Sequence, residues 1–186
     1  MQLNLKSAFC RSNGLYARVE PTNLFRIHDP DDSRRPDIEV LGLPKKLLLD
    51  TTITSPLASD LSAAEAMIQG RAASKAVIRK NTYYRDACVE AGYEFIPLAM
   101  ENRGLWSKEM KSFFNQVIKF GSQHNSVKSA ILKCYWMRRI SITLLKFSAK
   151  FVLARLSRAQ SPNHYDESHY LEVVDSQSTK LSPLQL

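Results

Sequence analysis

The sequence predicts an α/β fold in which a helix and three strands are followed by a crossover helix, a fourth strand and basic helices. Two observations lead to it. Apolar runs with strand-like alternation or β-branched residues lie within residues 15–55 and again within 93–100. An alanine-rich stretch with helical periodicity, residues 62–91, separates them. Because a long crossover favours parallel pairing, the fourth strand is expected to lie parallel to one of the earlier strands.

The first 55 residues predict a short helix and an antiparallel meander. The helix is expected to end near Asn13-Gly14, and the first strand stops at Pro21. A polar, proline-bearing loop follows, and Pro44 with the adjacent lysines forms the turn between the last two strands. The predicted ranges are 3–10 for the helix and 15–21, 37–43 and 46–55 for the strands.

The rest of the chain is predicted to be mainly helical. One continuous helix is expected from Ser62 to Ala91, capped by Asp60 or Ser62 and ended by Gly92. After the strand at 93–100, a helix is expected at 107–123 and a longer basic helix, with possible breaks, at about 126–158. These elements divide the chain into an α/β core over 1–100, a basic helical extension over 101–158 and a flexible tail over 159–186.

Composition narrows the class of protein. The chain has 186 residues, of which 44% are hydrophobic, enough for a packed core. No secretory signal is recognisable, and the most apolar late stretch is interrupted by Lys146 and Lys150, so no membrane span is expected. The three cysteines are scattered without metal-ligand spacing, which indicates free thiols in an intracellular, reducing compartment.

The positive charge is concentrated in the second half. Residues 1–100 hold 13 Lys/Arg against 12 Asp/Glu, whereas residues 101–186 hold 13 against 6. Glu109 is the only acid between Arg103 and Arg158. This uneven distribution of positive charge favours binding to a polyanion, most simply DNA. A solvated helical surface that happens to be basic explains the charge equally well.

Two aspartates stand where strands usually carry apolar residues. Asp37 opens the second strand, and Asp50 follows three leucines in the third. The turn between them is symmetric, so antiparallel pairing places Asp37 across from Asp50. A carboxylate inside a sheet costs several kcal/mol unless it is paired or binds a cation. A shared divalent ion would stabilise both carboxylates, and magnesium prefers such oxygen ligands.

These residues resemble a known nuclease pattern. The segments "RRPDIEV" and "LLLDTT", with Asp37 and Asp50 separated by twelve residues, resemble the PD-(D/E)xK restriction-like endonuclease domain of non-LTR retrotransposon (reverse transcriptase) polyproteins. The segments "KNTYYRDACVEAGYEFIPLAMENRGLW" and "CYWMRRISITL" extend the resemblance over about residues 14–150. The resemblance implies a restriction-endonuclease-like core and hydrolysis of DNA with Mg²⁺ or Mn²⁺. Asp37 and Asp50 would be the metal ligands, and Glu20 the additional acid.

The sequence departs from that pattern at the lysine. The motif expects Lys two residues after Asp50, but Thr52 stands there. In relatives of this type the lysine is often carried by the following helix. At 100° per residue, Lys80 falls in the middle of the apolar face of that helix, so it is expected to point at the sheet and to act with the two aspartates. Gln69, about three turns earlier on the same helical face, is a candidate to hydrogen-bond to a metal-bound water or to a phosphate. The remaining members of the predicted apolar face are Ala72, Ala73, Ala76, Val77, Tyr83, Tyr84, Ala87 and Ala91.

Each of these residues also has an ordinary structural explanation. Asp37 could cap a turn, Asp50 could lie on an exposed edge strand, Glu20 could be a surface acid, and Lys80 could reach solvent past the tyrosines. Three functions therefore stay open: a metal-dependent endonuclease acting on DNA, in the nucleus of a eukaryote; an inactive nucleic-acid-binding remnant; and a helical protein-interaction module.

Overall fold

The computed structural model describes residues 2–26, 30–58, 60–124 and 127–160. They form four strands and five helices. In chain order the elements are α1 (Gln2–Ser12), β1 (Tyr16–Val19), β2 (Ile38–Leu41), β3 (Leu47–Thr54), α2 (Ala63–Ala66), α3 (Arg71–Glu90), β4 (Glu94–Glu101), α4 (Lys108–His124) and α5 (Ser129–Gln160).

The strands form one mixed sheet in the order β1-β2-β3-β4. β1, β2 and β3 are an antiparallel meander, and β4 pairs parallel with β3 after the crossover through α3. The predicted mixed α/β class and the parallel fourth strand are therefore confirmed. β3 lies between β2 and β4, which explains why its first four residues are buried on both faces.

Each face of the sheet has its own apolar layer. Leu49 and Met100 belong to the larger core cluster, which also includes residues of α1, α4 and α5. On the opposite face, Leu48 packs with Tyr84 of α3, and Ala99 packs with further α3 residues. This alternation assigns the even-numbered residues of β3, including Asp50, to the α3 face.

Aromatic rings join α1 to the two C-terminal helices. Phe9 stacks on Phe114 of α4 at 5.1 Å between ring centroids and meets Trp136 of α5 edge-on at 5.2 Å. Trp136 is buried, so its indole serves packing and is withheld from solvent. The neighbouring Tyr135 is exposed.

The prediction of one continuous helix from Ser62 to Ala91 is wrong. The segment contains the short helix α2, which begins with a capping box between Ser62 and Glu65, and then the longer α3. Gly70, directly before α3, has a φ of +81°, a left-handed conformation that interrupts helical geometry. The predicted apolar face of α3 also needs one correction, because the Tyr83 ring is mostly exposed while Cys88 is buried instead.

Residues Met1–Leu145 form one compact unit. Buried side chains of α4 and of the first half of α5 belong to the same core as the sheet, so the basic region after residue 100 contributes directly to the fold. Residues 146–160 complete α5 and belong to a second unit. Nearly all of the predicted tail, 159–186, lies outside the described residues. In the described part of the chain, we find no helix with the length and apolarity that crossing a membrane requires.

Candidate functional site

The register of the β2–β3 hairpin brings Asp37 and Asp50 together. The ladder ends with Ile38 opposite Leu49, and Asp37 lies one residue before β2 and does not open it as expected. The same register continued by one residue places Asp37 opposite Asp50. Residues directly opposite in such a pair have Cβ atoms roughly 5 Å apart and share one face of the sheet. Asp50 lies on a central strand and is only 5% exposed, which excludes the edge-strand explanation of its charge.

Lys80 reaches the sheet from α3. Its Nζ atom lies 2.7 Å from Asp50 Oδ2 and 5.6 Å from the centroid of the Tyr84 ring. The ammonium is not aligned as a hydrogen-bond donor to Oδ2, and no other described residue donates to that atom. The contact is therefore a close charge pair, in which the buried Oδ2 atom lacks a directed hydrogen bond.

Asp37 is held by contacts distant in sequence. Its Oδ2 atom accepts a hydrogen bond from Lys6 Nζ at 2.8 Å and another from the backbone N–H of Thr51 at 2.9 Å. The second bond ties the carboxylate across the hairpin to the residue after Asp50. A local turn cap, the ordinary alternative for Asp37, does not describe this arrangement.

Sequence reasoning missed Lys6. This residue of α1 lies three and four positions before Phe9 and Cys10, which are both buried. A lysine at that spacing falls on the apolar face of its helix, as Lys80 does on α3. The same helical projection applied to α1 would have found it.

The four side chains form one electrostatic cluster of two carboxylates and two ammonium groups. Burial raises the pKa of Asp50, and the Asp37 charge acts in the same direction, against the opposing effects of Lys80 and Lys6. Burial lowers the pKa of Lys6, while the charges of Asp37 and Asp50 oppose that shift. Burial, reinforced by the Asp50 charge, raises the pKa of the nearby Tyr84. Because the four charges sum to zero, the cluster is compatible with a partly buried position.

Glu20 contacts this cluster with its backbone only. Its N–H donates to the carbonyl oxygen of Asp37 at 2.7 Å. Its φ of +47° breaks the strand there, and its exposed carboxylate lies 3.9 Å from a guanidinium nitrogen of Arg35. Within the described residues, no three His, Cys, Asp or Glu side chains gather as a metal-binding group.

The donor set near Asp50 nevertheless fits a magnesium ion. Magnesium is commonly bound by one or two carboxylates with water completing its shell. Asp37 and Asp50 are such a pair, and Oδ2 of Asp50 lacks a directed donor among the described residues.

No family model and no curated protein sequence matches this chain.

Two other predicted contributors lie elsewhere. Thr52 is two residues beyond Asp50 on β3, on the same face by alternation, and supplies a hydroxyl where the motif expects an amine. Gln69 is exposed and precedes α3, so it does not lie on a helical line with Lys80. Its side chain instead lines a separate pocket beside the end of β4.

The basic surface of α5 is a second candidate feature. Between Ser129 and Gln160 the helix carries seven Lys/Arg and no acid. Lys133 and Arg138 are exposed, and Arg139 donates to the Tyr135 hydroxyl at 2.7 Å while lying over the Trp136 ring. Exposed cations of this kind contact phosphates without reading sequence.

Proposed function

We propose that this chain is a metal-dependent endonuclease domain of the PD-(D/E)xK type, similar to those of non-LTR retrotransposons, which hydrolyses DNA phosphodiester bonds. One observation carries the proposal. Asp37, directly before β2, accepts a hydrogen bond at 2.9 Å from the N–H of Thr51, next to Asp50 on β3, and Lys80 from the crossover helix lies 2.7 Å from Asp50. The order of helix, three strands, helix and strand supports a restriction-endonuclease-like core.

The residues of the chain have separate tasks in this reaction. Asp37 and Asp50 would hold Mg²⁺ or Mn²⁺, which when bound polarises the scissile phosphate and lowers the pKa of a coordinated water. Lys80 orients the attacking water or stabilises negative charge on the phosphate. Lys6 fixes the Asp37 carboxylate through its 2.8 Å hydrogen bond and adds a second positive charge facing the phosphate.

DNA binding is assigned to the basic helices. Lys133 and Arg138 are exposed on α5 and can neutralise backbone phosphates on either side of the cleaved bond. Such binding is independent of sequence. A protein acting on chromosomal DNA in this way works inside the cell, and in the nucleus of a eukaryote.

One observation favours a second candidate function, an inactive nucleic-acid-binding remnant. The two aspartates each have a lysine within 3 Å, at 2.8 Å for Asp37 and 2.7 Å for Asp50. The cluster therefore balances its charges without a metal. The basic surface of α5 does not depend on this site and can bind nucleic acid in either case.

Nicking of supercoiled plasmid separates these functions. The full chain is incubated with plasmid and Mg²⁺ and then with EDTA, and Asp50→Ala and Lys80→Met are compared with it. Nicking that requires Mg²⁺ and disappears in both variants is the expected result. The matched control is Asp86→Ala, which removes an exposed carboxylate from the same helix as Lys80 and should leave nicking unchanged.

Three outcomes contradict the proposal that this site is a nuclease. Salt-sensitive DNA binding without nicking assigns the chain to the inactive remnant. No binding to DNA at low salt leaves the helical interaction module, whose contact surface would be the exposed apolar side chains of α5. Nicking that persists in Asp50→Ala shows that a contaminating enzyme or another site is responsible.

A further inference from the structure

The pocket lined by Gln69 lies at the far end of the sheet from the β2–β3 turn. It has a volume of about 380 Å³ and is bordered by the segment before α3 and by the loop that follows β4. Pockets that bind small organic groups begin at roughly 300 Å³. The pocket is large enough for one planar group, and the aspartate–lysine cluster does not line it.

The pocket contains a buried carboxylate without a partner. Glu101, the last residue of β4, is only 5% exposed and lines the pocket. Its Oε1 atom is buried and accepts no hydrogen bond from any described residue. A buried polar atom left in this state costs free energy, so Glu101 favours a ligand that supplies an N–H donor.

The other walls supply an apolar face and a positive charge. Met67 is 88% exposed and Ile68 is 57% exposed, although both are large hydrophobic residues. Methionine adapts its shape to flat apolar ligands. Arg103, also exposed, adds a cation to the lining, and α3 begins beside the pocket without a side-chain cap on its N-terminal N–H groups. A ligand with a flat ring, an N–H donor and an anionic group matches all three features.

The sheet connects this pocket to the aspartate–lysine cluster. In the β3–β4 register Asp50 pairs with Pro97, and Thr54 pairs with Glu101. By alternation Asp50, Thr54 and Glu101 share the α3 face of the sheet. Four residues of strand span roughly 13 Å, a distance comparable to the length of a few nucleotides.

We propose that this pocket binds an unstacked cytosine, whose exocyclic amine donates to the Glu101 carboxylate. Carboxylates accept hydrogen bonds from the exocyclic amine of cytosine in direct base recognition. Thymine carries a carbonyl oxygen in place of that amine, and this oxygen is repelled by the carboxylate, so thymine binds more weakly. Met67 and Ile68 cover the face of the base, and Arg103 pairs with its phosphate. The proposal deepens the proposed function and rests on it, because it gives the nuclease a base preference near the cut.

The test measures binding of the full chain to fluorescent oligodeoxycytidylate and oligodeoxythymidylate in EDTA. Both probes are flexible pyrimidine single strands that differ in the exocyclic group. The expected result is about tenfold tighter binding of the cytosine probe. Glu101→Met keeps the approximate size of the side chain and removes the hydrogen-bond acceptor, so the preference should fall to about onefold, whereas Glu94→Met, at an exposed glutamate on the same strand, should retain it.

Met67→Glu is a second variant that does not alter the core, because Met67 is largely exposed. It places a charge against the base and should weaken binding of the cytosine probe by about tenfold. Wild-type protein that binds the two probes equally, or a Glu101→Met variant that keeps the wild-type preference, would overturn the proposal.

The readout is independent of cleavage. A cytosine preference that survives in Asp50→Ala supports the pocket even if plasmid nicking is never observed, in which case the proposed endonuclease alone fails. Plasmid nicking without any base preference overturns the pocket and leaves the endonuclease standing.

Discussion

At Asp50 a carboxylate that is 5% exposed depends on its neighbours for charge compensation. Lys80 lies 2.7 Å from it, and the Lys6 charge adds to the compensation. Removing such a group from water costs several kcal/mol, which a well-placed counter-charge only partly offsets. The raised pKa of Asp50 reflects that balance, with burial as the largest cause. A protein that keeps this arrangement gives up stability for it, which is typical of functional sites.

The raised pKa of Asp50 predicts a pH dependence of stability. Below its ordinary value of 3.8 the carboxyl is protonated in both folded and unfolded chains, and its burial costs little. Above that value the unfolded chain ionises first, so the free energy of unfolding falls with rising pH until the folded group ionises, and the loss then persists. Asp50→Asn removes this loss. The variant should gain stability relative to wild type as pH rises from about 3 to about 7, a range far below lysine titration.

Urea unfolding of both proteins at several pH values measures this difference. Asp86→Asn, on an exposed part of α3, is the matched control for an asparagine substitution without burial. A difference between wild type and Asp50→Asn that stays constant across the range, or that grows in favour of wild type, would contradict the electrostatic description of the site.

The positions of some of these side chains could be predicted from the sequence, and those of others could not. Strand alternation and a symmetric turn were enough to pair Asp37 with Asp50, and helical projection was enough to aim Lys80 at the sheet. Lys6 could have been found by applying the same helical projection to α1. Glu20 could not be located in this way, because its positive φ of +47° is set by the chain around it and no periodic pattern continues through such a residue.

At the scale of elements, close packing of α1 against α4 depends on a glycine. Gly121 is buried on α4 beside Asn13, whose amide donates to the Phe9 carbonyl at 2.8 Å. A Cβ atom at Gly121 would overlap the Asn13 side chain. Asn13 is itself fully buried, so it has no solvent to move into. The glycine therefore sets the distance between the two helices.

Gly121→Ala should destabilise the protein by about 1–3 kcal/mol, since overpacking forces side chains or backbone to shift. At an exposed helical position the same change stabilises by about 1 kcal/mol, so the sign is diagnostic. Thermal or urea unfolding measures it. Gln123→Ala, exposed on the same helix, controls for helix propensity. A stabilised Gly121→Ala would show that the helices do not approach closely here.

Element boundaries were predictable where an explicit signal ends an element. Strand β1 stops before Pro21, and α3 ends close to Gly92. The break between α2 and α3 was not predictable from apolar periodicity, which continues through it. It arises because Gly70 adopts a left-handed conformation with a φ of +81°, and a glycine within a helical pattern does not by itself reveal which conformation it takes.

At the scale of the whole molecule, the excess positive charge of residues 101–186 is carried by helices that also complete the core. Trp136 and Leu144 of α5 are buried, while Lys133 and Arg138 on the same helix are exposed. The sequence predicted the helices and their charge. It did not reveal that they share a core with the sheet, because apolar residues every three or four positions fit any partner surface.

The exposed cations of α5 predict a specific salt dependence of DNA binding. The logarithm of the association constant falls with the logarithm of salt concentration by roughly 0.9 for each phosphate contact. Changing Lys133 and Arg138 to Gln should therefore reduce the slope by about 2 and weaken binding at low salt. Anisotropy with duplex DNA measures both. An unchanged slope in the double variant would place the DNA surface elsewhere on the protein.

The central claim is that Asp37 and Asp50 share a divalent ion, and binding of Mn²⁺ followed by electron paramagnetic resonance tests it most directly. Free Mn²⁺ gives a strong signal that is lost on binding, so titration counts bound ions without any substrate. We predict saturable binding to the wild-type chain, abolished in Asp37→Asn and Asp50→Asn and retained in Asp86→Asn. Binding that is equal in all four proteins, or absent from the wild type, would contradict the account.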